Sequence, residues 1–403
     1  MRNYKLYHIY LFLFGAFYYW IFPLIILECG FISGMPGVDT LNRYEYKAYF
    51  DNYIGIVFLL CISFVAGGIL PTFYKVRKHP IIRKRHFGII NSRDLALCSL
   101  PFLIFTQLII FNARHILFRG YSVDYDMRTL GALATTNCIF LVFYLYSISS
   151  PLAKRWVKTY FLIVLIESSV VLLGLGSRMY VLIPIIAFLT FYIQRHKISI
   201  RLIFTIVICI IFFLCVGIWR MSYAGIDLKL LLYIGSAEPL LTWISAVSFF
   251  EYNDIELFAI PYNFCSSFLN FIPSFIFPDK TEYIFPLNTE FDSPFGATNL
   301  LTSLLSDFGI IGSSILLFIT SFILTIIRYN WKSVFGSIYY CCVCGIIPFQ
   351  LFRDNLPIIN KVVVFNFLFL PLFIFLIIRG IYKIQKDSAA PKTLCNMNDD
   401  LIL

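Results

Sequence analysis

Ten stretches of this chain are apolar over about the thickness of a bilayer's hydrocarbon core, near residues 7–27, 53–73, 95–111, 130–150, 159–175, 179–193, 202–219, 310–327, 334–350 and 361–378. A backbone in hydrocarbon must satisfy its own hydrogen bonds, so each stretch is expected as a helix. Of the 403 residues, 60% are hydrophobic and 13% charged, against roughly 45–50% and about 25% in soluble domains. A soluble globular fold is excluded. The expected fold is all-α and polytopic, one transmembrane domain over 1–403 with about ten helices, or up to twelve.

The formal net charge of +10 has a direction. With both termini cytoplasmic, the inner segments 1–6, 74–94, 151–158, 194–201, 328–333 and 379–403 hold 21 of the 32 Lys and Arg, and the only acids among them are Asp94, Asp387, Asp399 and Asp400. That distribution follows the positive-inside rule. The run Lys75, Arg77, Lys78, Arg83, Lys84 and Arg85 therefore reads as a topology anchor, not a nucleic-acid patch, and residues 384–403 as a cytoplasmic tail. The first span follows Arg2 and Lys5 without a small-residue cleavage site, as in an uncleaved signal anchor. Among the cysteines, Cys29 and Cys265 are the two that could face an oxidising compartment, and a disulfide between them is conceivable. No metal-ligand spacing and no phosphate-binding glycine loop occur. His115 is the single outer histidine, which leaves metal-assisted or histidine-based chemistry without residues and calls for no cofactor.

One connection is long: residues 220–299, expected on the outer face. Its many aromatics, Trp243, Phe249, Phe250 and Tyr262 among them, argue against disorder. Stretches near 229–250 and 257–277 read as interfacial helices, re-entrant segments or an extra spanning pair. Pro239, Pro261, Glu238 and Glu251 favour the interfacial or re-entrant forms. The prolines 273, 278, 286 and 294, with Asp279, Glu282, Glu290 and Asp292, read as irregular water-side chain.

Several charges oppose the inside bias. Arg178 ends the run Gly174–Arg178 at a very tight outer turn, where its guanidinium either binds phosphate oxygens or snorkels to lipid headgroups. Arg353 stands on the last outer loop beside Asp354, which could simply neutralise it. Arg220 closes the seventh span, and Arg114 lies on the second outer loop with Arg119 and Arg128. Glu167 sits midway through the fifth span, either as a functional group or as a polar pin between helices. Asp307 stands at the mouth of the eighth span, as a base or as a charge near a helix N-terminus.

The chain resembles the Wzy-type oligosaccharide repeat unit polymerases, or O-antigen polymerases, of bacterial inner membranes. The resemblance rests on the Phe/Ile/Tyr-rich multispan architecture, the turn Gly176–Arg178, the large outer loop, the segment Asp307–Gly312 and Arg353 before the last span. An Arg followed eleven positions later by Gly, seen in some members, is not found in the corresponding outer loops. The resemblance implies a GT-C-like membrane glycosyltransferase at the periplasmic face that builds lipopolysaccharide or a similar polysaccharide. It would join undecaprenyl-pyrophosphate-linked glycans, without metal or cofactor, beside membrane lipids and a chain-length regulator protein. Arg178, Arg353, Arg220 and Arg114 would bind the pyrophosphate, and Asp307, Asp292 or Glu290 would take the acceptor's proton. A related O-antigen ligase is disfavoured because the large loop contains no His. A lipid-linked oligosaccharide flippase is disfavoured because Glu167 is nearly alone at depth.

Overall fold

The structure, a computed structural model, describes residues 5–30, 34–35, 38–73, 92–115, 117–118, 127–149, 154–196, 198–220, 228–272, 276–287, 289–330 and 333–389. No strand occurs among them, and ten of the described helices are long and apolar enough to cross a membrane. The basic run at 75–85 and the end of the tail, 390–403, lie outside the described residues. In chain order the main helices are α1 Tyr7–Cys29, α2 Tyr46–Phe73, α3 Ser92–Ala113, α4 Met127–Ser149, α5 Arg155–Gly174, α6 Arg178–Arg195, α7 Ile200–Arg220, α8 Leu228–Tyr252, α9 Leu300–Asn330, α10 Val334–Ile346 and α11 Leu356–Ile381.

Two expectations need correction. The stretch 334–350 is not a full span. Its helix, α10, has 13 residues, which at about 1.5 Å rise gives about 20 Å, too short for a hydrocarbon core of about 30 Å. Conversely, residues 228–252 are a continuous helix of 25 residues inside the bundle, not an interfacial one. Glu238 and Pro239 are tolerated there because α8 packs against protein: 67% of its apolar window is buried, against 6% for α7. Its neighbours run from Tyr18, midway along α1, to Tyr44 beyond the end of α1, so α8 rises in the same sense as α1. The described residues of the remainder, 253–299, form short helical turns and irregular chain. Cys29 and Cys265 are both free thiols.

Polar side chains lock the core across helices. Trp243 Nε1 donates to the Tyr53 hydroxyl (2.9 Å), which donates to the Trp20 carbonyl (2.9 Å), while Trp20 Nε1 donates to Asn299 Oδ1 (2.8 Å). One relay thus ties α8, α2, α1 and the start of α9. Deeper toward the opposite end, the buried His8 ring sits between the hydroxyls of Tyr340 (2.9 Å) and Thr325 (3.3 Å). At the crossing of α2 and α9, a Cβ on Gly67 would run into the Phe318 carbonyl, so only a residue without a side chain lets these helices meet. Glu167 accepts from Gln107 Nε2 (2.7 Å), a polar pin between α5 and α3.

The α9 helix is broken. Gly309 has φ 67° and ψ −173°, a conformation that favours glycine. Ser313 Oγ donates back to the Leu304 carbonyl (2.8 Å), so residues 300–308 fold against the helix that follows, as a half-helix. The break leaves the N–H groups of Ile310 and Ile311 without intrahelical acceptors, and the carbonyls of Glu256 (3.1 Å) and Leu257 (3.0 Å) take them. A Cβ on Gly309 would lie 2.8 Å from those same carbonyls. Gly309→Ala is therefore expected to cost at least about 2 kcal/mol from strain and steric conflict together. A lowered thermal unfolding midpoint of the detergent-solubilised protein checks it, and an unchanged midpoint would contradict the role given to this bend.

Candidate functional site

The Gly174–Arg178 turn is a helix C-cap followed at once by a new helix. Gly176 has φ 82°; its N–H donates to the Leu173 carbonyl (2.8 Å), and the N–H of Ser177 donates to Leu172 (2.8 Å). This is the Schellman pattern, which closes α5 and reverses the chain in three residues. Arg178 is then the first residue of α6, at the positive end of that helix. Its guanidinium packs beside Gly217 of α7: a Cβ there would stand 2.7 Å from Arg178 Nη1. Half-buried, Arg178 has no hydrogen-bond or ion-pair partner among the described residues.

Arg353 reaches the same region from the other side. It closes the short turn Gln350–Arg353 between α10 and α11, and its Nη1 lies 3.4 Å from Glu238 Oε1 of α8. Tyr19 donates to the same carboxylate oxygen (3.4 Å), and Tyr18 donates to the Gly235 carbonyl one turn earlier on α8 (2.5 Å). Tyr18 is within electrostatic reach of both Glu238 and Arg178; Tyr19 is within reach of Glu238, Arg353 and Asp354. Tyr180, two residues into α6, faces Asp354 and Arg353. Six elements therefore meet at one level: α1, α6, α7, α8, the 350–354 turn and the beginning of α9, where Thr298 N–H donates to the Arg353 carbonyl (3.0 Å).

Asp354, next along the turn, has a hydrogen-bond partner of its own. Its Oδ2 accepts from the fully buried Gln350 Nε2 (3.0 Å), leaving Gln350 Oε1 without a partner. Burial raises the Asp354 carboxyl above its ordinary range, with the Arg353 charge opposing. Asn299 Oδ1 accepts the Leu301 N–H (3.0 Å), so the half-helix 300–308 points its capped N-terminus to this level. The arrangement thus offers one guanidinium unpaired among the described residues, one partly exposed ion pair and two helix N-termini, with Arg353 33% and Glu238 25% exposed at their side chains. Such a set can hold an anionic group below the level of the loops.

Sequence reasoning placed Arg178 and Arg353 as candidates, and the structure brings them to shared neighbours. It passed over Tyr18, Tyr19 and Glu238 as site residues; the available signal was an acid beside a proline within an apolar helix. The other candidates lie elsewhere. Arg114, just past the end of α3, is exposed and stacks its guanidinium on Phe111 of that helix, 4.0 Å from the ring centroid. Arg220 is the last residue of α7, and its side chain lies outside the described residues, as does Arg119. Asp307 is buried in the half-helix, its carboxyl facing the backbone N–H groups of Asn263 and Phe264 at the start of the short helix Tyr262–Ser266, with Oδ2 otherwise unpartnered. Asp292 accepts from the hydroxyls of Tyr44 and Tyr252 in the loop region, where burial and the Asp292 carboxylate raise the Tyr44 hydroxyl. Glu290 is exposed, its backbone held by Asn253. None of these three acids has a described contact with either arginine. No group of three metal-ligating side chains converges among the described residues.

No protein-family model matches this chain, and neither a curated protein nor a solved structure matches it.

The Arg353–Glu238 pair generates a prediction. Removing Arg353 leaves the Glu238 carboxylate without its ion-pair partner in a poorly solvated site, and removing Glu238 takes a counter-charge from Arg353, whereas removing both does neither. Arg353→Ala and Glu238→Ala are each expected to lower stability, and the double variant by clearly less than the sum, a coupling of about 1 kcal/mol or more. Thermal unfolding of the four proteins in one detergent measures it.

Proposed function

We propose that this chain is a Wzy-type oligosaccharide repeat unit polymerase, an integral-membrane glycosyltransferase acting at the periplasmic face of a bacterial inner membrane. The observation that carries the reading is Arg178, without a hydrogen-bond or ion-pair partner among the described residues, sharing the neighbour Tyr18 with the Arg353–Glu238 pair at mid-height of α1. A guanidinium there suits a pyrophosphate tethered to lipid: its chain can remain in hydrocarbon while its phosphates enter the bundle from the side.

In the proposed reaction an acceptor sugar hydroxyl attacks the anomeric carbon of a lipid-linked donor glycan. The new glycosidic bond forms as the anomeric C–O bond to undecaprenyl pyrophosphate breaks, and that electron pair leaves on the pyrophosphate oxygen. Arg178, at the positive end of α6, and Arg353 balance the developing charge. A pyrophosphate that engages Arg353 competes with Glu238 and frees that carboxylate. Glu238, and not Asp307, Asp292 or Glu290, for which no contact with either arginine is described, would then receive the hydroxyl proton. No step calls on a metal or cofactor.

A second reading has a specific observation behind it. Glu238, Arg353 and Arg178 put charge at a depth where sequence analysis saw mainly Glu167, which suits a flippase for lipid-linked oligosaccharides.

The size distribution of the surface glycan separates these readings. Deleting the gene should collapse the ladder to core plus one repeat, and wild type should restore it. Arg178→Ala, inserted at normal levels, should reduce polymer by about a hundredfold, the scale of losing one charge-stabilising donor; Arg178→Lys should recover part. Uncapped core with accumulated lipid-linked polymer would mean a ligase. Single repeats trapped on the cytoplasmic leaflet would mean a flippase, and an unchanged ladder would overturn the proposal.

A further inference from the structure

The loop end of the bundle holds a cleft of about 640 Å³ between the start of α2 and the end of α8, floored by Ile310 just past the α9 bend. Its volume falls in the range of small-molecule sites, about 300–1,000 Å³. The wall carries the carboxylates of Asp51 and Asp254, the carboxamide of Asn52, and the rings of Tyr49 and Tyr252. Asp51, Asn52, Tyr252 and Asp254 are exposed. No Lys or Arg is among the described residues that line it, so its carboxylates repel a phosphate. The carboxylates do not converge as a metal site among the described residues. Acceptor oxygens and an amide interleaved with aromatic faces suit a neutral ligand with many hydroxyls and apolar C–H faces. Carboxylates accept hydroxyl protons, and rings cover the C–H faces.

We propose that this cleft binds the sugar chain of a lipid-linked oligosaccharide, as a subsite separate from the arginine cluster. The inference rests on the polymerase reading for the identity of the glycan. The two sites lie along one helix: Glu238 belongs to the arginine cluster and Glu251 lines the cleft. Thirteen residues at about 1.5 Å rise set them about 20 Å apart along α8. A pyrophosphate held at the arginines would therefore send its glycan up α8 toward the cleft, and the sugars farthest from the lipid would reach it.

Gly55 supplies a clean test. It lines the cleft, and a Cβ built there meets nothing within 4 Å, so a larger side chain enters open space and not the packed core. Leucine also favours the helical backbone over glycine. The probe is the reducing oligosaccharide released by mild acid from the source cell's lipid-linked glycans, which carries no pyrophosphate. Saturation-transfer NMR on the full chain in lipid nanodiscs should detect its binding to wild type. Gly55→Leu and Asp254→Asn should each weaken binding at least tenfold, and Gly131→Leu, at a glycine outside the cleft where a Cβ also meets nothing within 4 Å, should leave it within twofold.

No transfer with wild type, or wild-type affinity in monodisperse Gly55→Leu and Asp254→Asn, would overturn the inference. So would saturable binding of Ca²⁺ alone that is lost in Asp254→Asn, which would mark a cation site. The ladder assay keeps the two proposals apart. A ladder that depends on the gene, with oligosaccharide binding indifferent to both variants, removes the cleft alone. A ladder independent of the gene, with binding lost in both variants, removes the polymerase reading and leaves the cleft.

Discussion

A charged side chain inside an apolar bundle must find its counter-charge and its hydrogen bonds within the protein. The contact between Arg353 and Glu238 is where this chain meets that demand. The guanidinium comes from a turn between α10 and α11, the carboxylate from the middle of α8, and Tyr19 of α1 supplies a further donor. Three segments far apart in sequence are thereby held at one level. Arg178, arriving on α6, shares their surroundings without sharing their pairing.

Irregular helices make this level possible. A π-helical turn at Phe17–Ile21 presents Tyr18, Tyr19 and Trp20 in succession, and each bonds a different part of the bundle: Gly235, Glu238 and Asn299. The α10 helix stops after 13 residues, so its following turn is held within the bundle and not beyond it. The Gly309 bend folds residues 300–308 back so that their N-terminus, capped by Asn299, meets Trp20. Breaks of this kind are tolerated at membrane depth only where neighbouring protein satisfies the freed backbone, as Glu256 and Leu257 do for Ile310 and Ile311. They also leave donors and positive helix ends turned inward, where an anionic group can use them.

The two candidate sites divide the chemistry by charge. The deeper one presents guanidinium groups and helix N-termini; the cleft at the loop end presents carboxylates and aromatic rings. One helix, α8, carries a member of each. A molecule with an anionic anchor and a neutral polyhydroxyl arm would meet matching surroundings at both ends.

The spans were legible in the sequence because lipid demands apolar side chains on every exposed face. The outward-facing α7 shows that most plainly. The turn at Gly176 was legible because a left-handed residue between two helices calls for glycine, and the placement of Arg178 followed from it. Glu238 and Pro239 argued against a helix within the bundle at α8, yet both stand in it because protein covers most of that helix. Hydropathy misjudged α10 because length in sequence does not reveal where a helix will stop. By itself, then, the sequence determined a polytopic helical chain and put arginines at its turns. Only the tertiary structure decided that Arg178 and Arg353 come to shared neighbours, that Glu238 pairs with Arg353, and that Asp307 faces a short helix instead. Pairing in a bundle is settled by which helix faces meet, and those contacts join residues hundreds of positions apart.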